Sequence, residues 1–176
     1  MAAAQRRWGW HELDARWAAR LVADAHITPG ATVLDVGAGT GALTAHLLAA
    51  GARVIAVEAH PGRARQLHCR FGTAITLVQA DAADLRLPRR PYHVVANPPF
   101  GVTTALLRRL LQPGSRLVSA HLLLQEQAAR RWAGADAPGA RRWTVTFGAT
   151  LGARVPRRAL SPRPHLDVRV LRIERR

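Results

Sequence analysis

Six consecutive residues, Ala96-Asn97-Pro98-Pro99-Phe100-Gly101, bring together groups that can hold and stack a flat nitrogenous ring. Proline has no N–H and a fixed φ, so the carbonyls around Pro98 and Pro99 are set in place at little ordering cost. The Asn97 side chain adds a carbonyl acceptor and an amide donor. Such a set can bind an exocyclic amino group while Phe100 stacks on the ring that carries it. A proline-rich turn whose aromatic plugs the core is spelled the same way, so the choice falls to the residues upstream.

Those residues are glycines and acids. Gly37, Gly39 and Gly41 stand in TVLDVGAGTGALT, between a β-rich run and a helical pattern. Glycines there permit a tight turn and let a ligand approach the backbone. The spacing is GxGxG, shorter than the GxGxxG of dinucleotide enzymes, and Asp35 just before it disfavours a pyrophosphate in the turn. Glu58 closes the next apolar run, 21 residues after Gly37, where an acid can accept both hydroxyls of a ribose. A solvated strand-end carboxylate is the plainer alternative. Asp81 follows a third run, where a carboxylate can accept an adenine amine; Asp84 reads as a cap.

The elements that must position these groups follow from periodicity. Leu13, Trp17, Leu21 and Val22 place a helix over Glu12 to Ala25 with Trp17 in the core, ended by Thr28-Pro29-Gly30. A strand from Thr32 enters the glycines and a helix ending near Ala50. Arg53 to Glu58 is a strand, His60 to Arg70 a helix, Ala74 to Gln79 a third strand and Tyr92 to Ala96 a fourth. Leu106 to Leu111 continues a helix, Arg116 to Leu124 is a buried strand with His121 in the core, and Gln125 to Trp132 is a helix. Ala133 to Arg142 reads as a mobile loop near the target site. Trp143 to Leu151 alternates as a strand with Trp143, Val145 and Phe147 packed on one face, and Leu166 to Arg172 is a final strand.

Composition bounds the partners. The 176 residues suit one domain with a full core, and no apolar stretch approaches the ~20 residues of a membrane span. A single cysteine, Cys69, excludes a disulfide framework and fits a reducing cytoplasm. All 26 basic residues are arginine, and the net charge is +15. Arginine binds phosphate bidentately and stacks on bases, which makes nucleic acid the leading partner. Arg6-Arg7-Trp8-Gly9-Trp10-His11 mixes cations and aromatics as an arm over RNA or a pocket would, and a frayed terminus reads alike. No cluster has metal-ligand spacing.

Strand, glycine turn, helix, strand-Glu, helix, strand-Asp, strand-NPPF resembles the Rossmann-like S-adenosylmethionine-dependent methyltransferases, α/β proteins with a central, mostly parallel seven-stranded sheet. The segments LDVGAGTGALTAHLLAAGARVIAVEAHP, QADAADLRLP, VVANPPFGVTTALLRRLL and VPRRALSPRPHLDVRVLRIERR resemble the Erm family of ribosomal RNA adenine-N6 methyltransferases. That family is related to the dimethyladenosine transferases of the small ribosomal subunit. The last segment is the most specific, since general methyltransferases lack it, and Trp-Gly-Trp-His is similar to the short actinobacterial branch. The resemblance implies methyl transfer from S-adenosylmethionine to an adenine N6 in 23S rRNA or its precursor, giving macrolide, lincosamide and streptogramin B resistance. A small-subunit rRNA dimethyladenosine transferase or another N6-adenine methyltransferase, or a non-catalytic RNA-binding factor on the same fold, is the alternative.

The same resemblance implies roles for single residues. Asn97, Pro98 and Phe100 would receive the adenine. Gly37, Gly39, Glu58, Asp81, Ala82 and Asn97 would bind the cofactor. The family's N-terminal Gln-Asn-Phe-Leu run aligns with Trp10-His11-Glu12-Leu13, so Leu13 matches and His11 stands where a cofactor contact is expected. Typical members continue into a helical RNA-binding domain beyond the point where this sequence stops. The expectation is therefore one catalytic domain over 1–176, monomeric and cytoplasmic. RNA would be held by Arg6, Arg7, Arg141, Arg142, Arg154, Arg157, Arg158 and Arg163.

Overall fold

Seven strands in the order β4-β3-β2-β5-β6-β9-β7 form the central sheet of the computed structural model, which describes residues 10–176. The strands are β2 (Thr32–Val36), β3 (Arg53–Val57), β4 (Ile75–Val78), β5 (Tyr92–Ala96), β6 (Leu117–Gln125), β7 (Phe147–Val155) and β9 (Val168–Arg175). β2 to β6 pair in parallel, while β9 runs antiparallel to both β6 and β7. The predicted mostly parallel α/β sheet is the one observed. A second ribbon, β1 (Glu12–Leu13) with β8 (Leu160–Ser161), joins two remote segments.

Strands covered on both faces need apolar residues at successive positions, and β5 supplies them: Tyr92, Val94, Val95 and Ala96 are all buried. One face carries α1 (Ala15–Asp24), α2 (Ala42–Ala49) and α3 (Pro61–Phe71), whose Leu21, Leu47 and Leu67 pack on Val33, Val54 and Val95. The other carries α4 (Thr103–Leu110), α5 (Glu126–Ala133) and α6 (Ala140–Trp143), with Leu106, Leu110 and Trp132 against Leu34, Val94 and Leu122.

Three expectations are corrected. The first helix begins at Ala15 rather than Glu12, because the Asp14 carboxylate caps the Trp17 N–H at 2.8 Å; Glu12 and Leu13 are extended, and Trp17 is only partly buried. Trp143 belongs to a helical turn entered through Gly139 at φ +70°, and the strand starts at Phe147. Trp143 and Phe147 are buried, but Val145 between them is 76 % exposed. Ala133 to Arg142 does not lie near the strand ends that carry Asn97. It follows α5 back to the other end of the sheet, where Arg142 borders a cleft with Pro91, Ser115 and Arg116.

Candidate active site

The carboxyl ends of β2, β3, β4 and β5 bring the glycines, Glu58, Asp81 and Asn97 to one edge of the sheet, where open α/β folds bind ligands. Gly37, Glu58, Asp81, Ala82 and Pro99 line a single cleft there. Gly37 holds φ +75°, and its N–H and that of Ala38 both donate to the Val57 carbonyl, at 2.8 and 3.0 Å. A Cβ at Gly37 would stand 2.9 Å from Pro99 Cδ and 3.3 Å from Pro98 Cα. The glycine turn and the Asn97–Phe100 loop therefore touch through the atom that Gly37 lacks.

Glu58 is buried, and its carboxylate is fixed by donors from three directions. Gly39 N–H donates to Oε2 at 2.9 Å, while His60 N–H and Arg63 Nη2 donate to Oε1 at 2.8 and 3.0 Å. Oε1 thus has both lone pairs engaged, and Oε2 keeps one for a ligand hydroxyl. Asp81 Oδ1 accepts the Ala83 N–H at 2.9 Å, so this carboxylate, rather than that of Asp84, closes the turn, and Oδ2 stays available. Gly39 is in close contact with the Trp10 indole, which also lies 5.2 Å from the Arg63 guanidinium carbon.

Asn97 is partly buried, and its Nδ2 donates to the His11 carbonyl at 2.7 Å. Phe100 opens a short 3₁₀ turn, Phe100–Val102, that leads into α4; its carbonyl accepts Thr103 Oγ1 at 3.0 Å. The His11 ring stacks on Phe100 with centroids 5.3 Å and planes 29° apart. Leu13 is buried beneath this segment in β1, and Thr40 Oγ1 donates to Glu12. The residues from Trp10 to Leu13 thus lie across the glycine turn.

Sequence reasoning gave Asp35 no positive role in this site. It is fully buried, its Oδ2 accepts Thr44 Oγ1 at 2.6 Å, and its Oδ1 has no partner among the described residues. Burial, with Glu58 adding to it, pushes its pKa up to about 7. Asp35 borders a small cavity with Gly37, Leu13 and Asn97. The signal was an acid inside an otherwise apolar strand, TVLDV.

The arginines separate into groups. Arg154 shares Glu126 Oε1 with Arg130 and Arg169, and Arg157 holds the His165 carbonyl and Asp167. Arg158 and Arg163 flank β8, are exposed and pair with no carboxylate among the described residues. Arg141 and Arg142 lie in the α6 turn, remote from Asn97. Arg6 and Arg7 fall outside the described residues. Among the described residues no group of histidines, cysteines and acids has the geometry to hold a metal, and no helix is long and apolar enough to cross a membrane.

A family profile for ribosomal RNA adenine dimethylases matches residues 11–176. The mycinamicin-resistance protein MyrB of Micromonospora griseorubida is 40 % identical over 148 residues, covering 82 % of this chain and 47 % of that protein. An rRNA adenine N-6-methyltransferase of Corynebacterium diphtheriae is 37 % identical over 146 residues, covering 81 % and 57 %. The chain thus spans about half the length of these curated relatives. The crystal structure of the 23S rRNA methyltransferase ErmE superposes with a TM-score of 0.81 at 27 % identity, over 93 % of this chain and 68 % of that one. A Plasmodium falciparum dimethyladenosine transferase gives the same TM-score at 21 % identity, over 94 % and 64 %, and speaks to the fold alone. A glycine turn, two strand-end acids and an Asn-Pro-Pro-Phe loop at one sheet edge, with a profile match from His11 onward, leave one assignment: the chain belongs to the ribosomal RNA adenine dimethylase family and has the fold of class I S-adenosylmethionine-dependent methyltransferases.

Proposed function

We propose that the protein transfers a methyl group from S-adenosylmethionine to the N6 amine of an adenine in 23S rRNA, and so protects the ribosome from macrolide, lincosamide and streptogramin B antibiotics. The observation that carries this reading is the Asn97 amide: its nitrogen donates to the His11 carbonyl, which fixes the amide's orientation and leaves Oδ1 as an acceptor. The similarity to a mycinamicin-resistance protein supports the large-subunit target.

The residues present fit the cofactor. Gly37 lines the cleft and lets the Asn97–Phe100 loop close against it, Glu58 is pre-oriented for the ribose, Asp81 keeps an oxygen for the adenine amine, and Asp35 Oδ1 is a buried acceptor just before the glycine turn. When bound there, S-adenosylmethionine would supply an electrophilic methyl for the amine, with the C–S electron pair left on sulfur and the amine's proton lost to solvent. The chain's part is to make a poor nucleophile attack. An adenine amine has its lone pair delocalised into the ring. Asn97 Oδ1 and the Pro98 carbonyl would accept its two hydrogens and favour the pyramidal nitrogen as the bond forms. Phe100 would offset part of the few kcal/mol spent in unstacking the adenine. Holding both reactants in line contributes up to ~7–11 kcal/mol in well-oriented systems.

The test is tritiated-methyl transfer to protein-free large- and small-subunit rRNA, with the labelled base mapped. Label on a large-subunit adenine supports the proposal, label on the small subunit alone transfers the protein to the housekeeping branch, and no label on either overturns it. Asn97→Ala should abolish turnover with cofactor affinity little changed, whereas Glu58→Ala should weaken cofactor binding by ~10-fold or more. Equal loss of affinity in both would contradict the division of roles.

A further inference from the structure

His11 is tied to the acceptor side of the site by three contacts. Its carbonyl accepts Asn97 Nδ2 at 2.7 Å. A backbone carbonyl can only accept, so this bond decides which end of the amide points toward residue 11 and leaves Oδ1 for another donor. The ring stacks on Phe100 at 5.3 Å, and its Nδ1 bonds the Pro162 carbonyl at 2.5 Å, which requires the proton on Nδ1. Pro162 follows β8, whose Ser161 pairs with Glu12 in β1. Segments 151 positions apart therefore meet on the two side chains that would receive the base.

We infer that His11 is a positioning residue for the methyl acceptor: its carbonyl sets the orientation of the Asn97 amide, and its ring, anchored by Pro162, sets the plane of Phe100. The inference rests on the methyltransferase reading above and deepens it. It differs from the role that alignment with the family's Gln-Asn-Phe-Leu run implies, a direct contact with the cofactor. The two roles separate in kinetics. A residue that orients the acceptor lowers kcat when lost and spares cofactor affinity, whereas a cofactor contact lowers affinity. Small displacements at the reacting centre are costly, about 100-fold for 1 Å.

The experiment compares wild type, His11→Ala and His11→Phe in three measurements. These are methyl transfer to large-subunit rRNA at saturating S-adenosylmethionine, the dissociation constant of the cofactor, and the NMR signals of the Asn97 side-chain amide in the ligand-free protein. His11→Ala is expected to lose ~10–100-fold in kcat with cofactor affinity within about threefold of wild type. The variant keeps the backbone carbonyl but loses the ring's bond to Pro162 and its stack on Phe100, so residue 11 is no longer held against Asn97 and the Asn97 amide signals should move toward solvent-like exchange. His11→Phe keeps the stack but not the bond to Pro162, so it should recover only part of the rate. Cofactor affinity that falls in step with kcat overturns the inference, as does an Asn97 amide that His11→Ala leaves unshifted. Wild-type protein that labels no rRNA while the amide shifts as expected would sink the methyltransferase reading and leave the positioning contact standing.

Discussion

Asp35 and His121 carry opposite pH dependences because both are buried but ionise in opposite senses. Burial raises the Asp35 pKa from 3.8 to about 7, so the fold disfavours its charged form. Its contribution to stability is full below pH 4, falls as pH rises to 7 and is flat beyond. His121 is 4 % exposed on β6 with Nδ1 unpartnered, and burial, with Arg172 nearby, lowers its pKa to about 4. Its contribution is full above pH 6.5 and is lost as pH falls toward 4. Thermal melts from pH 4 to 8 should show Asp35→Asn gaining on wild type as pH rises, with no further gain above pH 7. His121→Leu should gain on wild type only as pH falls below 6.5. A pH-independent difference in either variant would mean that the group does not titrate across that window. Asp35 was legible as an oddity in the sequence, an acid in an apolar strand, but its unpartnered oxygen was not, since that depends on which residues close over β2.

At the scale of elements, the glycine turn and the Asn97–Phe100 loop behave as one unit because they meet at Gly37. A Cβ there would press on Pro98 Cα and Pro99 Cδ, ring and backbone atoms with little room to move, while φ is +75°. Gly37→Ala should cost ~1–3 kcal/mol. It should also cut kcat at least ~10-fold by displacing the loop. Gly114→Ala is the control: φ is +78° with nothing within 4 Å, so it should cost ~1–2 kcal/mol by denaturation and leave turnover intact. Loss of turnover in both variants would trace the effect to global destabilisation. These elements were readable because local signals coincide: apolar runs, glycines and strand-end acids at fixed distances. Trp143 to Phe147 was misread because residues at 143, 145 and 147 fit a period of two, while 143 and 147 also fit one helical turn. Gly139 and the Thr144 hydroxyl bond to the Ala140 carbonyl decide for the turn.

For the whole molecule, on the proposed function, charge would draw the RNA and topology would set where it binds. The net charge of +15 is spread over the surface, and sequence alone could not say which arginines share an edge with Asn97. The alternation of strand and helix sends Arg142 to the far end of the sheet and Arg158 and Arg163 to the site of β8 beside His11. RNA affinity measured against salt should report this. Each phosphate contact contributes about 0.7 to the log–log slope for single strands, so Arg158→Ala with Arg163→Ala should flatten it by about 1.4. Arg142→Ala should leave the slope unchanged. A flattening by Arg142→Ala equal to that of the double variant would place RNA on the opposite end of the sheet.

The bond between His11 and Pro162 also has a consequence in time. At ~5–20 residues per second, the ribosome needs about 8–30 s to make the 151 positions that separate them. The glycine turn, Glu58, Asp81 and Asn97 all emerge during that interval. The residues of the proposed cofactor cleft are therefore all synthesised well before Pro162, which anchors His11 against Asn97 and Phe100. On the proposed function, β8 and the residue after it thus finish the seat for the adenine after every residue of the cofactor cleft has been made.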